Sequence, residues 1–110
     1  MLDNEKLEDQ GMLIISNAGA GRGMAFEALA DAKKGGFTEA EEKMRRAEKY
    51  IHDSHAAHSE LLKMDSHGEV EYVDLFLSHA QDHVMSAALA VELIGELIDL
   101  HKIMKEGNTK

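Results

Sequence analysis

The sequence predicts an all-α protein, an antiparallel up-down-up bundle of three helices. Its 110 residues include no proline, so no position forbids a long uninterrupted helix. Aromatic residues make up only 5% while Ala and Met are plentiful, a composition suited to helix-on-helix packing rather than to a sheet sandwich. Apolar and small residues recur at helical spacing in three stretches, separated by two short glycine-containing breaks. A chain of this length has room for one domain with a modest core.

The first helix is expected from about Glu8 to Lys34. Ile14, Ala18, Gly21, Ala25, Ala28 and Ala32 fall on one face of it, and Ile15, Phe26 and Leu29 widen that face. The stretch "KGGFT" ends the helix, because Gly35 and Gly36 suit C-cap conformations. Thr38 with Glu41 then has the spacing of a capping box. The second helix is expected over about Glu39 to Met64, with Ala40, Met44, Ala47, Ile51, Ser54, His58 and Leu62 on its inner face. "DSHGE", Asp65–Glu69, is the second break.

The third helix, about Glu71 to Lys105, is the most apolar. One stripe runs through Val73, Leu77, Ala80, Val84, Ala87, Val91, Ile94 and Ile98, and a second through Phe76, His79, His83, Ala90, Leu93 and Leu97. Together they exceed the one-sided stripe of an ordinary surface helix. Two neighbouring helices cover one side of such a cylinder. The other side predicts packing against further copies of the chain.

The net charge of −9 argues against nucleic acid, whose phosphates require clustered Lys and Arg, and favours a basic protein surface as partner. There is no cysteine, hence no disulfide framework and no thiolate metal site. Apolar runs such as Met12–Ile15 are too short for a membrane span or a signal-peptide core, so a cytoplasmic protein without membrane insertion is expected.

Three polar motifs compete with their blander readings. "NAGAGRG", Asn17–Gly23, has the glycines of a phosphate loop but neither a preceding strand nor a Gly-Lys-Ser/Thr ending. Close helix approach explains it better, and Arg22 is the one residue there able to reach an anion in a neighbouring groove. "HDSHAAH" sets His52, His55 and His58 three apart, which makes a metal pair conceivable but completes no site. His52 is expected in solvent, with His55 and His58 near the packed face.

The third motif is "SHAQDHVMSA", Ser78–Ala87, where His79, Gln81, Asp82 and His83 interrupt an apolar helix. Burying such groups without partners costs several kcal/mol, of order 2–7 per polar group. No Lys or Arg occurs between Lys63 and Lys102, although eight acidic residues do, so Asp82 has no cation on its own helix. Its options are solvent, a cation from another helix, a shifted pKa or a bound metal ion. Histidine titrates near neutrality and is nucleophilic, whereas no Ser or Cys nucleophile with a base is evident. Any chemistry here belongs to histidine.

"HAQDHVMSA" resembles the active-site helix of the lactose/cellobiose-type IIA proteins of the bacterial phosphoenolpyruvate-dependent sugar phosphotransferase system. The likeness extends through "GMLIISNAGAGRGMAFEALADAKKGGF" and "ELIGELIDLHKIMK", from about Gly11 to Lys105. It implies a homotrimer whose third helices form a central coiled coil. It also implies that His79 takes a phosphoryl group from the phosphocarrier protein HPr and passes it to a cysteine of a IIB component. Asp82 then matches the aspartate that holds a divalent cation, Mg²⁺ or a similar hard ion, on the trimer axis. Gln81 and His83 match the supporting positions of the phosphoryl site. A carrier of this kind serves uptake of a β-disaccharide of cellobiose, lactose or chitobiose type without touching the sugar. The chain departs from the family pattern at Gly23, at Gly35-Gly36-Phe37 and at His58-Ser59, where a Gln-Thr pair is common. Two other classes stand beside this reading: a helical metal-binding protein, and a structural helical oligomer or adaptor.

Overall fold

The computed structural model describes residues 4–108, which form three helices: α1 (Asn4–Lys33), α2 (Phe37–Ser66) and α3 (Leu75–Asn108). They build a rod of 65 × 19 × 16 Å. None of the described helices is long and apolar enough to cross a membrane. On α1, Gln10, Ile14 and Gly21 meet Ala57, Ser54 and Ile51 of α2 in that order, so the two helices are antiparallel. Gly11 and Gly19 of α1 lie beside Phe76 and His83 of α3, so those two run parallel. The up-down-up order expected from the sequence is the one observed.

The breaks work through glycine conformation. Gly35 has φ +84°, and the amides of Gly35 and Gly36 donate to the Ala32 and Asp31 carbonyls at 3.0 and 2.8 Å, a Schellman ending for α1. Gly68, at φ +74°, ends α2 in the same way, with Gly68 and Glu69 donating to Asp65 and Met64. Gly36 corrects the expectation of a second C-cap glycine. Its φ of −85° makes it the N-cap of α2, which starts at Phe37 with no side-chain cap. Thr38 is already helical there, so the predicted Thr38–Glu41 capping box does not form. The turn between the helices is two residues tighter than that motif requires.

Two other boundaries also move. α1 begins by Asn4, ahead of Glu8. α3 begins at Leu75 rather than Glu71, because Asp74 is its cap: the Asp74 carboxylate accepts from the Leu77 amide at 2.9 Å. Val73 therefore precedes the helix and is exposed rather than part of the core stripe.

All six predicted inner positions of α1 are buried, Ile14, Ala18, Gly21, Ala25, Ala28 and Ala32. Only Ile14 is large, and both other helices lie close against the rest. The buried row of α2 follows the prediction through Ser54, whose hydroxyl donates to the Ile14 carbonyl at 2.8 Å. It then continues through Ala57, Leu61 and Met64 rather than through His58 and Leu62. Repeated steps of four drift around a helix with 3.6 residues per turn, and mixed steps of three and four hold the face.

Two hydrogen bonds near the ends of the α2–α3 pair, His58–Gln81 and Lys102–Glu41, are both 3.3 Å long, and Met44 lies beside Gly95 between them. Between those ends lies an open groove of about 720 Å³ with a floor that includes Met44, Ile51, Val91 and Ile98. His52 and His55 both line it and both are exposed, which corrects the expected packed position of His55.

On α3, Leu77, Ala80, Val84, Ala87, Val91, Ile94 and Ile98 are buried as predicted. Of the predicted second stripe, Phe76, His83 and Ala90 are half-buried and His79, Leu93 and Leu97 exposed; the uncovered apolar residues are Met85, Leu89, Leu93, Leu97, Leu100, Ile103 and Met104, 43–64% exposed. The apolar surplus read from the sequence is thus a continuous outward face.

The approach of α1 to α2 generates a test at Gly21. A Cβ there would lie 2.9 Å from Ile51 Cδ1 and 3.1 Å from the Ala47 carbonyl oxygen. Gly21→Leu gains helix propensity yet is expected to destabilise by about 1–3 kcal/mol, the usual cost of overpacking. Denaturant unfolding measures it. Unchanged or increased stability would show that the two helices are not held at this distance.

Candidate functional site

The polar motif of α3 points three ways, because its residues are one, two and four positions apart on a helix with 3.6 residues per turn. His79 is exposed, and His83 sits one turn further along the same flank, half-buried beside α1. Their ring centroids are 5.5 Å apart, with planes inclined by 35°. His83 packs beside Gly19, where a Cβ would stand 3.7 Å from Nε2, an ordinary van der Waals contact. Of the glycine run read as a means of close approach, Gly21 is the position where a side chain would obstruct a neighbouring helix. Gly23 has no neighbour that a Cβ would meet.

Asp82 belongs to the outward apolar face. Leu75, Asp82 and Leu89 are spaced by seven, with Ser86, Leu93 and Leu100 interleaved, so the carboxylate stands within an exposed apolar stripe. Among the described residues no Lys or Arg pairs with it. Ser86 Oγ donates to the Asp82 carbonyl at 2.6 Å, an internal link in the helix that leaves the carboxylate unengaged. Gln81 lies on the other flank, where its Oε1 is 3.3 Å from Nε2 of His58 on α2. The structure therefore joins His79 with His83, sets Asp82 beside them on the outer stripe, and turns Gln81 toward α2.

His83 has its proton affinity pushed below the ordinary histidine range. Partial burial contributes most, followed by the Arg22 guanidinium and then by His79. Arg22 is exposed one turn beyond Gly19 and brings positive charge to a flank to which α3 contributes none. Sequence reasoning singled out Arg22, but the contact of Gly19 with an imidazole is a matter of helix register that no local pattern announces.

Among the described residues, no three His, Asp or Glu side chains within a protomer come together as a metal site. The histidines of α2 and the His79–Asp82 pair thus form no intrachain centre, and the reading as a metal-binding monomer has no site to rest on.

A sequence match decides the family. The model described as "PTS system, Lactose/Cellobiose specific IIA subunit" matches residues 9–102. The chain belongs to this IIA family of the phosphotransferase system. The N,N'-diacetylchitobiose-specific EIIA component of Escherichia coli strain K12 is 40% identical over 101 residues, covering 92% of this chain and 87% of that protein. The crystal structure of the cellobiose-specific enzyme IIA from Bacillus anthracis superposes with a TM-score of 0.86 at 36% identity, covering 96% of this chain and 95% of that one. The IIA(chitobiose) chain solved in complex with HPr, from the Escherichia coli phosphotransferase system, gives a TM-score of 0.78 at 38% identity over 90% of this chain and 96% of that one. As a IIA component, the chain is a phosphoryl-transfer protein, and the all-α bundle is that of the solved IIA structures.

The lowered His83 value yields a measurable pH dependence. The imidazole is expected to titrate below the ordinary histidine value of about 6.5, and Arg22→Gln should raise it by removing the nearby cation. Because the folded value lies below the unfolded one, the stability that His83 contributes is fully present above about pH 6.5 and is lost as pH falls through the folded value. Ring-proton NMR against pH checks both statements. Titration of His83 at or above the ordinary value, or no upward movement in Arg22→Gln, would contradict the geometry described.

Proposed function

We propose that this IIA component accepts a phosphoryl group from phospho-HPr on His79 and delivers it to the cysteine of a IIB component. It would do so in the cytoplasm, during uptake of a β-disaccharide of the cellobiose, lactose or chitobiose type. The observation that carries the reading is the His79–His83 pair: an exposed imidazole one turn from a second imidazole kept neutral, on the motif helix of a family member. The E. coli chitobiose relative, solved with HPr, supports HPr as the donor.

The chemistry needs little more. A neutral ring nitrogen of His79 attacks phosphorus, forming an N–P bond as the bond to the donor breaks. In the second transfer a thiolate forms an S–P bond while the N–P bond breaks, and the bonding pair returns to the ring nitrogen to leave a neutral imidazole. Catalysis is positioning plus donors for the phosphoryl oxygens. His83, neutral near pH 7, retains one ring N–H to donate. Absence of Lys and Arg from the site face of α3 suits a relay, because strong cations would hold the phosphorylated state and slow onward transfer.

The outward face of α3 supports a homotrimer with α3 at its centre. Isolated exposed leucines are ordinary, but a contiguous stripe from Leu75 to Met104 is the signature of an interface. In such a trimer the two flanks of α3 face different neighbours. His79 and His83 then turn to one copy while Gln81 turns to the other, so that the partner subunit's Gln81 comes level with His79. That supports a supporting role for Gln81 across the interface.

Asp82, exposed on the same stripe and unpaired by any described cation, would converge with its symmetry mates on the axis. An all-oxygen carboxylate set of this kind fits a hard divalent cation such as Mg²⁺, which would neutralise three like charges there. Without a cation the carboxylates repel or take up protons.

Two experiments test these statements. His79→Ala is expected to fold and to lose phosphate acceptance from phosphoenolpyruvate, enzyme I and HPr, whereas His83→Ala retains at least part of it. The label should be acid-labile and stable to alkali. Labelling of His79→Ala but not of His83→Ala would reverse the assignment. For the assembly, light scattering should give about three times the 12.2 kDa chain mass. Asp82→Leu should be more stable than wild type in EDTA and unresponsive to Mg²⁺, since hydrocarbon replaces converging charges. A monomer at micromolar concentration would refute the trimer. A wild type indifferent to metal and chelator, with a destabilised Asp82→Leu, would refute the axial site.

A further inference from the structure

We infer that His58 is a positioning residue for phosphoryl transfer, acting through Gln81. Its Nε2–H donates to Gln81 Oε1 and leaves the Gln81 amide NH₂ turned outward as a donor for phosphoryl oxygens. This deepens the reading above and rests on the role proposed there for Gln81.

The argument starts from the chemistry of the amide. Glutamine carries an acceptor at one tip atom and a donor at the other, and only the donor serves a phosphoryl oxygen. Gln81 is exposed on α3, so an unrestrained amide would present either atom. An imidazole nitrogen bearing hydrogen fixes the choice, because it can donate only to the carbonyl end. The observed pairing of His58 Nε2 with Oε1 at 3.3 Å is that orientation.

The anchor is itself anchored. His58 is half-buried and follows Ala57, a core residue whose carbonyl accepts from Gln10 Nε2 of α1 at 2.9 Å. This turn of α2 is therefore tied to α1 immediately next to the imidazole. On the α3 side, Gln81 borders a hollow of about 50 Å³ lined by Leu61, Val70 and Leu77, which gives its methylene stem apolar walls. Stem and carbonyl are thus both engaged within the protomer. The NH₂ group is the part left to face outward.

Single-turnover transfer from phospho-HPr tests the inference. His58→Gln keeps a side-chain N–H donor and is expected to transfer at a rate near wild type. His58→Leu, which releases the amide, should fall about three- to tenfold, the factor of one neutral hydrogen bond. His58→Glu offers only acceptor oxygens, draws the amide NH₂ inward, and should fall at least as far. Gln81→Ala should fall similarly, and adding His58→Leu or His58→Glu to it should cause no further loss.

Nitrogen-15 NMR of the neutral His58 ring should show the Nε2–H tautomer whatever the rates. Full activity of His58→Leu, additive loss in the double variants, or the Nδ1–H tautomer would each overturn the proposal. Failure of the underlying reading looks different. If His79→Ala still accepts phosphate, the carrier assignment falls. If His79→Ala is inert but Gln81→Ala transfers at the wild-type rate, the His58 proposal falls alone.

Discussion

Close approach to α1 is the constraint on which the rest of the molecule depends. Along its buried face the side chains between Ala18 and Ala32 are alanine or glycine, so α2 and α3 can both seat against this one helix. At Gly21 the neighbouring Ile51 and the Ala47 carbonyl stand where a Cβ would need to be. α1 joins both helices, while α2 and α3 meet at polar contacts near their ends and at Met44 beside Gly95, with a groove between them. His83 is half-buried where α3 runs beside Gly19 of α1.

Seating α3 on a slender partner covers less than half of it, and the remaining surface is divided between packing and chemistry. The inner row is hydrocarbon throughout, from Leu77 to Ile98. The outward row is also largely hydrocarbon, with Asp82 and Ser86 set in it near the motif, and in a single subunit it faces water. The flanks carry the polar groups. On the proposed reading this is why four polar residues fit within five positions without wrecking the helix: none of the four is in the core, and they are divided between the two flanks and the outward row.

On the proposed reading, the electrostatics of the flank favour passing a group on over keeping it. His83 is held toward its neutral form by partial burial, by Arg22 and by His79, so it offers hydrogen bonds rather than fixed charge. Arg22, the cation identified beside this flank, comes from α1 and lies exposed to solvent, where its attraction is weakened by screening. A neutral donor beside an exposed nucleophile lowers the barrier in both directions. A buried cation would lower only the energy of the charged intermediate.

Much of this was legible in the sequence. Helix class, the two breaks, the inner face of α1 and the inner row of α3 follow from periodicity and glycine placement, which are local and dictated by the backbone. The functional motif was legible because its polarity contradicts its surroundings. Other features were decided only by the tertiary structure. Asp74 caps α3 ahead of Leu75, and Gly36 caps α2, because the geometry of each turn settles which cap is satisfied. Whether Leu61 or Leu62 is inside depends on accumulated helical phase relative to a partner helix, which a stripe extrapolated in steps of four cannot know. Likewise, that Gly19 receives an imidazole and His58 meets Gln81 follows from the register between helices far apart in sequence. Local propensity writes each helix, but only packing fixes how far one slides and rotates against the next.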